Sequence, residues 1–216
     1  MVTTLKTLSL RPPKAPDLPV APTEYSQNYI DQLTNALRLY FAQIDNFNQP
    51  FASSTGGSFL KSPYGAFSSY ATQTTTANTA TLMTLNQTDF ANGISLVGSK
   101  IIVSIPGIYN FQFSVQISNL DNATTDTSIW LKQNGVDIVG SNGIIGLSPR
   151  KSPGDPTHDI KGWNYFLSMK ANDDLQIWWS TSSSNVSIET YAAGTSPTRP
   201  STASVVATMS FVSALY

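Results

Sequence analysis

The chain has 216 residues, enough to bury one sizeable core with some length left for an appendage. Only 12% of the residues are charged and the formal net charge is −1, which argues against the broad basic surface that holds nucleic acid or anionic membrane. Cysteine is absent, so disulfides and thiolate metal sites are excluded as well. The polar surface then has to come from Ser, Thr, Asn and Gln, a dressing better suited to close contact with other protein than to long-range steering. No segment approaches the roughly 20 apolar residues of a membrane span. The opening MVTTLKTLSLRPPK lacks an apolar run of signal-peptide length. Without such a signal, the sequons at Asn86, Asn122 and Asn185 are expected to be chance in an Asn/Thr-rich chain.

Residues 1–22 form a proline-rich arm, with Pro12, Pro13, Pro16, Pro19 and Pro22 punctuating RPPKAPDLPVAP and Leu18 among them. Proline fixes φ and pushes the residue before it toward extended geometry, so this run favours polyproline II, with a reach of about 37 Å. Such an arm has no core of its own. It is either a disordered tail or an anchor lying on sister subunits or a larger assembly, and anchoring is the expectation here.

Residues 23–49 follow as an amphipathic helix. Ile30, Leu33, Leu37, Tyr40, Ile44 and Phe47 recur at alternating spacings of three and four, an a/d seam that falls on one narrow stripe. Tyr29, Ala36 and Phe41 widen it. Thr23 is the expected N-cap, with Glu24 in the first turn, and Pro50 the expected stop. An isolated helix of this length is marginal in water, so the stripe needs a partner. Three are open: sister helices in a homotrimeric coil, the chain's own β domain, or a different protein.

The connector, residues 50–65, is rich in Gly, Ser and Pro. Gly56-Gly57 belongs to no GxGxxG or GxxxxGK pattern, so no nucleotide-binding loop is expected. A first strand is predicted near 66–71. In IYNFQFSVQI, Tyr109, Phe111, Phe113, Val115 and Ile117 alternate with polar residues, the period of a half-buried antiparallel strand. Ile101 to Ile105 precedes it, broken at Pro106-Gly107. Ser128 to Lys132 ends at Asn134-Gly135, a strong hairpin signal. Trp163 to Met169 alternates again, Asn172-Asp173-Asp174 turns into Leu175 to Trp179, and Ser187 to Tyr191 follows. Val205, Ala207, Met209 and Phe211 mark one face of a last strand. Residues 66–216 therefore read as an antiparallel sandwich or barrel, and the whole chain as mainly β.

Two resemblances add to this reading. LMTLNQTDFANGISLVGSKIIVSIPGIYNFQFSVQI resembles the central signature of the tumour-necrosis-factor and complement-globular-head jelly rolls, matching at Gly98, Ile101, Val103, Pro106, Gly107, Ile108, Tyr109, Phe111 and Val115. IWLKQNG and FLSMKANDDLQIWW resemble that family's later strands, with Asn172-Asp173 replacing its usual glycine-bearing turn. Residues 148–162, SPRKSPGDPTHDIKG, depart as a polar loop insertion. The resemblance implies a jelly-roll sandwich packing as a tight homotrimer through aromatics, here Tyr109, Phe111, Phe113 and Phe211 as head core or trimer contact. Separately, LPVAPTEYSQNYIDQLTNALRLYFAQIDNF resembles the start of small virion proteins of tailed phages, particularly marine and cyanobacterial ones.

Little chemistry is apparent. The one histidine, His158, is expected in a solvated loop near Lys151, Ser152, Asp155 and Asp159. A local run of this kind makes neither a Ser-His-Asp site nor a metal site. Asp173-Asp174 fits an ordinary turn better than a calcium ligand pair. Trp178 and Trp179 point to opposite faces of a strand, one into the core and one outward, where it could meet a trimer partner or a sugar. No carboxylate pair stands out as a glycosidase dyad. The expectation is a protein that is not an enzyme and uses no cofactor or metal. It is expected to be a trimeric capsid decoration or cement protein of the virion, holding neighbouring shell subunits through its arm and helix. The alternative is a short tail or head fibre whose jelly-roll head recognises a host-surface glycan or protein.

Overall fold

The computed structural model describes residues 13–52 and 62–214, and the chain divides into two units, Met1–Lys61 and Ser62–Tyr216. In the first unit an irregular segment leads into one helix, α1 (Gln27–Ala52). The Ser26 hydroxyl accepts the Tyr29 N–H at 3.4 Å, so Ser26 is the N-cap. Thr23 and Glu24 lie in a bend before it, and the first turn holds no acid. The cap expected at Thr23 is thus displaced by a second hydroxyl residue with the same capping chemistry. Nor does Pro50 end the helix. Near the terminus it forgoes only one backbone bond, in a turn where carbonyls already lack partners. Along α1, Ile30 is exposed while Leu33, Leu37, Tyr40, Ile44 and Phe47 are half-buried. In the arm, Pro13, Pro16 and Pro19 are half-buried and Leu18 is exposed. The three prolines are spaced at the three-residue period of polyproline II. Pro12 and Gly56-Gly57 lie outside the described residues.

The second unit is built of strands. In chain order they are β1 (Tyr64–Ser69), β2 (Gln73–Thr74), β3 (Thr81–Leu82), β4 (Gln87–Asn92), β5 (Ile94–Val97), β6 (Lys100–Val103), β7 (Gly107–Asn119) and β8 (Thr125–Gln133). There follow β9 (Val136–Asp137), β10 (Gly143–Leu147), β11 (Thr157–Met169), β12 (Asp174–Thr181), β13 (Val186–Ile188), β14 (Gly194–Thr195), β15 (Thr198–Arg199) and β16 (Val205–Ser213).

One sheet runs β11-β7-β16-β1-β4, with β13 and then β2 taking over beside the far end of β7. The other runs β10-β8-β12-β6-β5, with β3 against β12 and β9 against β8. All these pairs are antiparallel. From β6 the chain crosses to β7, returns to β8 and β10, crosses to β11, returns to β12 and crosses again to β13 and β16. That winding is an antiparallel jelly-roll sandwich.

Between the sheets lie Phe67, Tyr109, Phe111, Phe113, Ile129, Leu131, Ile177, Trp179 and Met209, all buried. Each such side chain contributes about 1.5–3 kcal/mol by leaving water. Asn134 (φ 53°) and Gly135 (φ 79°) turn β8 into β9 with the left-handed pair of a type I′ hairpin.

Strand boundaries differ from the sequence reading in several places, and β6 ends at Val103, short of Ile105. β1 begins at Tyr64. β13 stops at Ile188, leaving Tyr191 in an isolated bridge with Thr202. The polar insertion ends earlier than 162, because β11 begins at Thr157 and pairs residue for residue with all of β7. A strand as long as β7 offers backbone donors and acceptors along its whole edge. Pairing with them sets the start of β11 despite the polar run Thr157-His158-Asp159. The pairing is close: a side chain at Gly162 would collide with the Phe113 carbonyl oxygen.

Candidate interaction surfaces

Because the odd residues of β7 point into the core, its even residues face outward, and register carries this face across four strands. Phe166, Asn110, Ser210 and Tyr64 form one rung. Asn164, Gln112, Thr208 and Ala66 form the next, and Gly162, Ser114, Val206 and Ser68 a third. None of these positions holds Asp, Glu, Lys or Arg. Phe166 is 65% exposed and Ile160, further along β11, 66%. At the opposite margin the rings of Tyr64 and Phe90 lie 6.1 Å apart, and Phe90 is 62% exposed. Carboxylates reach this face at its margins: Asp89 accepts a hydrogen bond from Ser68 at 3.0 Å, and Glu189 lies beyond the end of β13, where its N–H donates to the Gln116 carbonyl at 2.8 Å. Bare aromatic and aliphatic groups among small neutral ones lose little on leaving water, which is the make-up of a surface fit to be covered.

The outward face of the second sheet is different. Trp130 and Trp178 stand directly opposite each other. The Lys132 ammonium lies 4.3 Å from the Trp178 ring centroid and 3.4 Å from Asp137. Trp130 Nε1 donates to Asp137 at 2.7 Å and Trp178 Nε1 to Gln176 at 2.8 Å. Lys100 pairs with Asp174 at 3.3 Å. The split of Trp178 and Trp179 is as the alternation predicted, with Trp179 in the core; Trp130, its outward companion, was legible only once β8 and β12 were known to be neighbours.

The four head aromatics sit within the subunit. Tyr109, Phe111 and Phe113 are buried, and Phe211 packs edge-on against Tyr109 at 5.6 Å. The Tyr109 hydroxyl donates to the Ile105 carbonyl at 2.7 Å, and burial pushes its pKa up to about 12. Exposed rings of the second unit include Tyr64, Tyr70, Phe90 and Phe166, which sequence reasoning had not singled out.

His158 is not in a loop. It lies on β11 opposite Ser118, with Nδ1 3.1 Å from the Tyr191 hydroxyl and the two rings edge to face at 5.3 Å. Its sequence neighbours go elsewhere: Asp159 pairs with Lys161 at 2.8 Å and Asp155 with Lys151 at 4.0 Å. Among the described residues no group of His, Cys, Asp and Glu could hold a metal ion.

Asp173 is occupied as a turn clasp, taking hydrogen bonds from Asn134, Gln133 and the Lys170 N–H. Burial raises its pKa, but those bonds and the Lys170 charge bring it below the usual carboxylate value. Asp121 is likewise lowered, first by Ser183, then by Asn185 and the Ala123 N–H. The Tyr191 pKa is raised, chiefly by burial, with the Glu189 charge adding and Ser118 and Arg199 opposing.

No family model matches this chain, and no curated protein matches it. Among solved structures, that of murine APRIL at pH 8.5 is similar over 70% of this chain and 100% of that one, at 10% sequence identity and a TM-score of 0.46.

Proposed function

We propose that the protein is a structural component of a tailed-phage virion, a homotrimer that decorates and cements the capsid, its arm and helix holding neighbouring shell subunits. The observation that carries this reading is the uncharged outward face of the β11-β7-β16-β1 sheet, with Ile160, Phe166 and Tyr64 bare upon it. A threefold contact between copies would cover it by apolar and neutral hydrogen-bonding contact, with no charge to desolvate. The resemblance of the head to trimeric jelly rolls supports three copies. The resemblance of the N-terminal region to phage virion proteins, together with exposed Leu18 and Val20 on the arm and the apolar seam of α1, supports the anchor. No catalytic step is part of this role. The test is cryo-electron microscopy of intact particles. Copies at local threefold positions across the shell are expected; a few copies at a tail or vertex would overturn the decorating role in favour of a fibre. Removing residues 1–22 is expected to abolish particle binding while leaving a soluble trimer, and normal occupancy after the deletion would refute the anchor.

A further inference from the structure

Where β13 replaces β16 beside β7, the sandwich carries a cleft of about 420 Å³, a size that takes a small ligand. Its lining is chemically uniform in one respect: Ser118, Asn185, Ser187, Glu189 and Tyr191 bring hydroxyls, an amide and one carboxylate to the same cleft, with Leu120 as an apolar edge. Lys and Arg are absent from this lining.

The groups are held in place before any ligand arrives. Glu189 accepts the Ser187 hydroxyl at 2.5 Å on Oε1 and the Thr72 hydroxyl at 3.0 Å on Oε2. Each carboxylate oxygen can take a further hydrogen bond, so two adjacent acceptors remain. The Tyr191 ring is held by His158, whose ring meets it edge to face at 5.3 Å and whose Nδ1 lies 3.1 Å from its hydroxyl, and by the Arg199 guanidinium over it, 5.5 Å from its centroid. Asn185 is anchored through Nδ2 to Asp121 at 3.3 Å and through its N–H to Ser183 at 3.2 Å. Its amide oxygen accepts no bond from any described residue. Paired acceptors on one carboxylate match two neighbouring hydroxyls, and an ordered aromatic ring beside them matches the apolar face of a pyranose.

We propose that this cleft binds one residue of a neutral glycan, with vicinal hydroxyls on Glu189 and the sugar ring against Tyr191. Hydroxyls set against the Glu189 carboxylate must be neutral donors, so a sulfate or carboxylate group is disfavoured at that position. The inference stands on the head alone and holds whether the protein sits on shell or tail, so its failure leaves the assembly reading untouched.

The test is saturation-transfer NMR on the full chain with methyl glycosides of glucose, mannose and galactose and with N-acetylglucosamine, each at about 10 mM, enough to detect millimolar binding. At least one sugar is expected to give saturable transfer. That transfer should fall about tenfold in Glu189→Ala and in Tyr191→Ala and persist in Trp178→Ala, which removes the aromatic of the other face. Asn185→Ala, at the rim, replaces either cleft variant that fails to fold. Absence of transfer from every sugar, or transfer that survives the cleft changes, would overturn the proposal.

Discussion

The two outward faces of the sandwich are made by the same alternation of strands, yet they solve different problems. On the second sheet, charges are present and paired, Lys132 over Trp178 and against Asp137, Lys100 against Asp174. Covering that face would strip water from each pair, a loss that exposed ion pairs repay poorly. On the first sheet, the rungs through Asn110, Gln112 and Ser114 hold no charge at all, and Phe166 and Ile160 stand bare. The two faces differ in charge rather than in exposed apolar groups, since Ile144 on the second sheet is also exposed. Fold alone sets neither character; the residues at alternate outward positions do.

The largest effect is expected where the faces share a core. Phe111→Ala should cost about 3–5 kcal/mol of subunit stability in denaturant unfolding and so weaken both faces together, a baseline against which face-specific changes are read. Next, Phe166→Asp should weaken association of copies by about 30-fold or more, the loss of an exposed aromatic anchor, while leaving the unfolding midpoint of the separated subunit within experimental scatter. Analytical ultracentrifugation over a concentration series measures this. Trp178→Ala on the opposite face should leave association unchanged and lower stability by only about 1 kcal/mol, through the lost cation–π and cross-strand contacts. An equal loss of association from both variants would erase the distinction between the faces.

The smallest effect concerns pH. Asp173 and Asp121 both have folded-state pKa values below the ordinary carboxylate value. Their contribution is therefore fully present above the unfolded carboxylate pKa and fades as pH falls through the folded one. Urea midpoints should decline on acidification across that range, and the decline should be shallower in Asp173→Asn. An unchanged slope in that variant would remove Asp173 as a source.

Much of the sandwich was legible because its signals are local. Tyr109 to Ile117 declares its inward face by period alone. Asn134-Gly135 supplies the left-handed pair its hairpin needs, and the Trp178-Trp179 split follows from strand geometry. What stayed hidden depends on neighbours. The start of β11 at Thr157 is set by the free edge of β7, so the polar run around His158 read as a loop. Tyr64, Gln112, Thr208 and Phe166 become one surface only when four strands from distant parts of the chain lie side by side. The cleft has the same origin, since Ser118, Ser187 and Tyr191 meet only where β13 takes over from β16. At the helix start, Thr23 and Ser26 offer the same chemistry, and spacing alone did not choose between them.

The central claim is that the uncharged face of the first sheet joins copies of this chain. Light scattering on the full chain at micromolar concentration tests it most directly. The account predicts a species of three times the 23.3 kDa chain mass, converted toward single chains by Phe166→Asp. A monomer for the unaltered protein, or a trimer indifferent to Phe166→Asp, would contradict it.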